Sequence, residues 1–207
     1  MSQISIADLI KTRRTRKPTT YTSPVPTSLV TSLIETARHA PNHHRTEPAR
    51  FYLLNRVKMV RLAKLFGEII RGDKTNPTLV EKAKKKEQEW RNATGLLVVT
   101  SYSDQESILV QKNPQVIEEN FATTCCIMQN LLLLFENSQI AAKWSTAAVW
   151  QHPEFAPTVG IKYPSNEKFV GFIFYGYSEL SQSVRNLSPL QNHLVDFTDN
   201  QDHEFDQ

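Results

Sequence analysis

The sequence predicts one α+β domain, and three observations carry that assignment. Apolar residues recur at helical spacing in several segments, only three short runs have strand character, and one long segment, Gln115 to Glu136, is apolar on more than one side. The 207 residues are 40% hydrophobic with a formal charge of +3, and a chain of this size buries roughly 70% of the surface it exposes when unfolded. Such a core requires no disulfide or metal staple. Cys125 and Cys126 are the sole cysteines and are adjacent, which excludes a CxxC zinc site and a disulfide framework. A reducing compartment, the cytoplasm, is therefore expected.

The elements follow in order. Ser5, with Asp8 three residues on, makes a cap for a first helix over Ile4 to Arg14, with Ile6, Leu9 and Ile10 as its apolar stripe. Pro18, Pro24 and Pro26 keep the chain extended until Thr27, where Leu29, Val30, Leu33, Ile34 and Ala37 begin a helix that Pro41 ends. After a loop, Phe51 to Leu54 reads as a short strand and Arg56 to Ile70 as a helix. Asn76-Pro77 opens a charged helix to about Arg91, expected to be a solvated, peripheral excursion. The run LLVVT (96–100) is a buried strand by composition, and FVGFIFYGY (169–177) is the strongest strand signal. In the long helix, Ile117, Phe121, Cys125, Met128, Leu132 and Phe135 step by three or four, with the last two turns apolar nearly all round. The expected domain spans residues 1–195. The last twelve residues carry five acids, an acidic tail (196–207) expected to be disordered.

No apolar run of signal-peptide length precedes the basic cluster near the N-terminus, and no segment approaches the roughly 20 apolar residues of a membrane span. Membrane and nucleic-acid partners are not expected, because the net charge is small and the positive charge is local. The sequence has no Walker loop, no GxGxxG and no GxSxG, and six glycines in all, so a bound phosphate would have to be held by side chains. The strongest local feature is KTRRTRKP, with Lys11, Arg13, Arg14, Arg16 and Lys17 placing five positive charges in seven positions. Charge alone is satisfied by a solvated basic face, or by a nucleic-acid or anionic-lipid patch. Arg13-Arg14-Thr15 also suits phosphate, because guanidinium forks bind its oxygens bidentately and the threonine adds a donor. The loop APNHHRTEP (40–48) holds two histidines, an arginine and an acid between prolines. His39 and His43 have the spacing of a helical metal pair, but Pro41 breaks the turn that would align them, so no metal is expected.

These segments together resemble a known family. RRTRKP (13–18), PVP (24–26), ARHAPNH (37–43) and TEPARF (46–51) are similar to motifs of the FMN-dependent nitroreductases, in particular a small homodimeric subgroup. LLVV (96–99), PQVIEENFA (114–122), KWST (143–146) and KFVGFIFYG (168–176) follow in the family's order. The resemblance covers about residues 5 to 177. It implies a nitroreductase-like fold: a small central mixed sheet flanked by helices, with the long helix at a dimer interface that binds FMN. It also implies NADH or NADPH as hydride donor and a small electron acceptor, such as a nitroaromatic or quinone. Carried over residue by residue, Arg13, Arg14 and Thr15 match the segment at the flavin phosphate and polar ring edge. His43 matches a loop histidine that reaches FMN from the partner chain, with His39 a weaker candidate. Trp144, Ser145 and Thr146 match the segment lining the isoalloxazine, and Arg185 stands where another phosphate contact is often found. No protein residue is required as a nucleophile or acid, since the flavin N5 carries the hydride. Two positions depart from the pattern: Ala49 stands in place of Trp, and Ala147 in place of Gly. The alternative readings are a flavin-fold protein without turnover, and a non-enzymatic binder of an acidic partner through Lys11–Lys17.

Overall fold

A computed structural model describes residues 5–72, 75–179 and 185–196. The first helix, α1 (Ile6–Thr12), starts as its cap predicts: the Ser5 hydroxyl accepts the Asp8 backbone N–H at 3.1 Å. It stops two residues before the expected end, because Arg13 already has extended ψ, 131°. Helix α2 (Thr27–Ala37) and strand β1 (Ala49–Leu53) flank the histidine loop, and α3 (Arg56–Arg71) is capped by Asn55, which accepts from the Lys58 N–H at 3.0 Å. Asn76 caps α4 (Pro77–Arg91) by accepting from Thr78 and Leu79, with Pro77 at the first helical position where its missing N–H costs nothing.

Strand β2 (Leu96–Tyr102) is followed by short α5 (Ile108–Lys112), the long α6 (Val116–Asn137), strand β3 (Ile140–Ser145), short α7 (Phe155–Val159) and strand β4 (Glu167–Tyr177). The four strands form one sheet in the order β1-β2-β4-β3, and every neighbouring pair is antiparallel. The expected mixed character is confined to one isolated parallel bridge, Thr15 to Ala142, outside the named strands. Strand β3 has no counterpart in the sequence reading. Its residues, IAAKWS, contain one β-branched side chain and two alanines, a weak strand signal directly behind a strong helix. Gln139, at φ 58°, makes the reversal between them.

The sheet is covered on both faces, which explains the unbroken apolar run of β2. Leu97 and Val99 face α2 and α6 with Val30, Ile34, Met128, Leu131 and Phe135. Leu96 and Val98 face α3 and α7 with Leu62, Met59, Phe155 and Trp90 of α4. Helix α4 is therefore not peripheral: Trp90 is 3% exposed and packs its ring on Phe66, Phe172 and Phe174. Glu81, Lys82, Lys84 and Lys85 are exposed, while Glu89 is largely buried beside Lys86 and Lys143, and Glu87 sits over Gly67 of α3, where a Cβ would meet the carboxylate at 2.9 Å. Helix α6 is buried on several sides, as its composition predicts, with Val116, Thr124, Met128, Leu131 and Phe135 all in the core. Cys125 is half-buried, and burial raises its thiol pKa, consistent with a packing role. Of the expected tail, Asp196 is exposed and residues 197–207 lie outside the described residues. No helix among the described residues is long and apolar enough to cross a membrane.

Candidate functional site

The candidate residues fall into two groups at opposite edges of the sheet. The first group is assembled by the bridge between Thr15 and Ala142 together with the Arg16 N–H, which donates to the Ala142 carbonyl at 3.0 Å. This lays the Arg13–Arg16 segment along β3, the strand that carries Trp144 and Ser145. Two side chains anchor it. The Arg16 guanidinium lies 3.0 Å from Glu136 on α6, with side-chain exposures of 14% and 7%. Tyr21 donates its hydroxyl to the Arg16 carbonyl at 2.9 Å, and burial pushes its phenol pKa upward. Arg14 folds back, donating to the carbonyls of Lys11 at 2.6 Å and Arg13 at 2.7 Å. Arg13 is half-buried and has no side-chain hydrogen bond or ion pair among the described residues; Thr15 is exposed.

Trp144 is half-buried against the α6 side of the core. Its indole N–H donates to the Val170 carbonyl at 3.4 Å, and it lies so close to Gly171 that a Cβ there would be 2.2 Å from Nε1. Packing is thus one role of this residue. Ser145 is half-buried and Thr146 exposed. Ala147 has φ −58° and ψ 141°, ordinary extended backbone, so an alanine here carries no backbone strain.

The second group lies in the loop before β1, at the other sheet edge. His43 Nδ1 is 3.0 Å from Glu119 on α6, and its ring stacks on that of His44 at 4.0 Å. The loop is held by Thr46, whose backbone N–H and hydroxyl reach Asn42 and whose hydroxyl also lies 2.5 Å from Asn120 Oδ1. Asn120 is buried and donates to Ser103 at 2.8 Å. His44, Arg45 and Glu47 take φ values of 59°, 52° and 46°, a left-handed backbone that costs a non-glycine residue roughly 1–2 kcal/mol. Such strain persists where surrounding contacts over-determine it. His39 is exposed and, with Arg38, Asn42 and Arg45, lines a cavity of about 290 Å³ over Ala49 and Ile127. Alanine in place of the family's tryptophan leaves a methyl group at this cavity's wall.

These groups cannot meet within one chain. Arg16 sits at Glu136 and His43 at Glu119, seventeen positions apart on α6, or about 25 Å at 1.5 Å per residue. Strands β1 and β3 are the two sheet edges with two strands between them, roughly 14 Å at the usual strand spacing. Arg185 is exposed and is brought to neither group by any contact among the described residues. Glu119, Asn120 and Thr46, which fix the histidine loop, were not singled out by sequence; the available signal was a polar Asn120 beside the apolar stripe of α6.

A four-stranded antiparallel sheet spanned by one long helix, with a cationic segment at one edge and a strained histidine loop at the other, defines an α+β protein whose candidate residues are split between two sheet edges. The chain belongs to the nitroreductase family, whose model matches residues 10–177. It is 27% identical over 196 residues to YfhC of Bacillus subtilis, provisionally named an NAD(P)H nitroreductase, covering 92% of this chain and 93% of that one. A nitroreductase-like protein of Bacillus cereus superposes with a TM-score of 0.77 at 24% identity, over 96% of this chain and 98% of that one. A Bacteroides fragilis nitroreductase solved with bound FMN gives a TM-score of 0.67 at 18% identity, over 93% and 98%. These structural likenesses bear out the nitroreductase-like fold.

Proposed function

We propose that the protein is a homodimeric, cytoplasmic FMN oxidoreductase that takes hydride from NADH or NADPH and passes it to a small acceptor such as a nitroaromatic or quinone. The observation that carries the reading is the split site. Arg13–Thr15 and His43 both match flavin-contacting positions, yet lie at opposite ends of α6, so one FMN is reached by both only if they come from different protomers. Arg13 fits the cofactor on its own evidence: a half-buried guanidinium beside a strand edge, without an ion-pair partner among the described residues, suits a phosphate. In this reading Arg13, Arg14 and Thr15 bind phosphate and the polar ring edge. Residues 144–146 line the ring, His43 of the partner subunit donates to its polar side, and Arg185 and His39 are outer contacts. When bound, FMN supplies at N5 the centre that takes up and gives up the hydride. The protein's part is to hold, orient and shield it.

The purified protein should take up FMN, show the oxidised flavin spectrum, and be bleached by NADH or NADPH anaerobically and restored by a nitroaromatic or quinone. A colourless protein that takes up no added FMN rules this out. A flavin that no nicotinamide reduces means a fold that has lost turnover.

Two further outcomes are expected. Ile6 and Ile10 of α1 are 64% and 56% exposed, and Ile6, Leu9, Leu133 and Leu134 line an open groove between α1 and α6. A second copy covering this face would make an obligate interface, typically above about 2,000 Å². Sedimentation should therefore show a dimer at micromolar protein, and a stable folded monomer would contradict it. Arg13→Ala should raise the FMN dissociation constant by roughly ten- to a hundredfold, the worth of a charge-assisted bond of about 1.5–3 kcal/mol. Exposed Lys17 precedes Pro18 and should matter far less. Equal affinities for Arg13→Ala and Lys17→Ala in a flavin titration would mean a diffuse field instead of a phosphate clamp.

A further inference from the structure

We propose that His43, His44 and Glu119 bind one divalent transition-metal ion of the Zn2+ class, at a site that does not require FMN to be bound. Pro41 breaks the pairing of His39 with His43; the fold instead pairs His43 with its neighbour and with Glu119, 76 positions away on α6. One ligand atom from each of the three residues lies within 4.8 Å of the other two. His43 Nδ1 and Glu119 Oε2 are 3.0 Å apart, already close to the separation of two ligands on one four-coordinate ion.

Glu119 Oε2 gives the second, separate indication. The oxygen atom itself is shut off from solvent and receives no hydrogen bond among the described residues, although His43 Nδ1 lies 3.0 Å away. A shielded carboxylate oxygen without a donor is costly, and a cation between it and the imidazoles removes that cost. Thr46 is fixed by Asn42 and Asn120, and His44 holds φ 59°. The two imidazoles are stacked with 13° between their planes, and because each lone pair lies in its own ring plane, one exposed ring turns out of the stack for both nitrogens to reach one ion. Both histidines are exposed on their outer side, so two His and one Glu would leave an open coordination position, as in three-ligand zinc sites. Nitrogen and carboxylate donors favour Zn2+ or Cu2+ over Mg2+ or Ca2+. Coordination through Nδ1 leaves His43 Nε2, on the far side of the ring, for the flavin contact proposed above.

Equilibrium dialysis of the full-length protein against Zn2+, with metal counted by atomic emission, should give one ion per chain. His44→Gly and Glu119→Gln should each weaken binding by more than about tenfold, the lower bound for loss of even an outer-shell partner. Glycine adopts a φ of 59° without strain, so His44→Gly should keep the fold, and circular dichroism checks this. Absence of Zn2+ binding, or either folded variant binding as tightly as the parent, overturns the site. FMN content measured on the same samples separates the two readings: metal without flavin refutes the flavin proposal alone, and flavin without metal refutes this one alone.

Discussion

Replacing Arg16 with methionine should destabilise the protein by about 3 kcal/mol and loosen its hold on FMN. The Arg16–Glu136 pair is 3.0 Å long and nearly buried, and removing one partner of a buried pair costs about 3–5 kcal/mol. The lower end applies because 14% of the arginine side chain remains exposed. For a chain of this length that corresponds to a melting temperature roughly 6–12 °C lower, compared at fixed protomer concentration. The flavin effect follows from position. Arg16 pins the segment that bridges to Ala142, and with the pin gone Arg13 and Thr15 must be ordered by the ligand itself. The double variant Arg16→Met/Glu136→Leu should recover most of the stability, since Arg16 Nε is buried with no acceptor and the pair is imperfectly satisfied. A loss under about 1 kcal/mol for Arg16→Met would class the pair with ordinary surface bridges.

Legibility in the sequence tracked the strength of local signals. The Ser5 cap, the Asn76-Pro77 start and the LLVV run were readable because each rests on neighbouring residues alone, and each appears where expected. Strand β3 was not readable. IAAKWS becomes a strand through its pairing with β4 over six positions and the Thr15 bridge at its edge, which are long-range contacts. The antiparallel sheet was equally hidden, since strand direction depends on connections and not on composition.

The site shows the same division. The cluster 11–17 and the loop 40–48 stand out because charge and proline are local features. That they lie at opposite sheet edges, and that Glu119 and Asn120 hold the loop, depends on how α6 crosses the sheet. At Ala147, which stands where the family pattern has glycine, the backbone is ordinary, because φ −58° needs no glycine. Ala49, by contrast, borders the cavity lined by His39, Asn42 and Arg45.

Trp90→Ala should be the most damaging single truncation, at about 3–5 kcal/mol, the range for deleting a buried large aromatic. The charges of α4 argue for a solvated appendage, for which the same change would cost under about 0.5 kcal/mol. The structure decides against that reading. Trp90 meets Phe66 at 4.8 Å, Phe172 at 5.0 Å and Phe174 at 4.9 Å, and the last two are edge contacts on the central strand β4. Aromatic pairs of this geometry add about 0.5–1.5 kcal/mol each beyond area burial. Trp90→Phe keeps part of that packing and should lose much less, so the two variants rank the cavity against the indole edge. Chemical denaturation at fixed protein concentration measures both. If Trp90→Ala unfolds at the same denaturant concentration as the parent, α4 is dispensable to the core and the second face of the sheet is held by α3 and α7 alone.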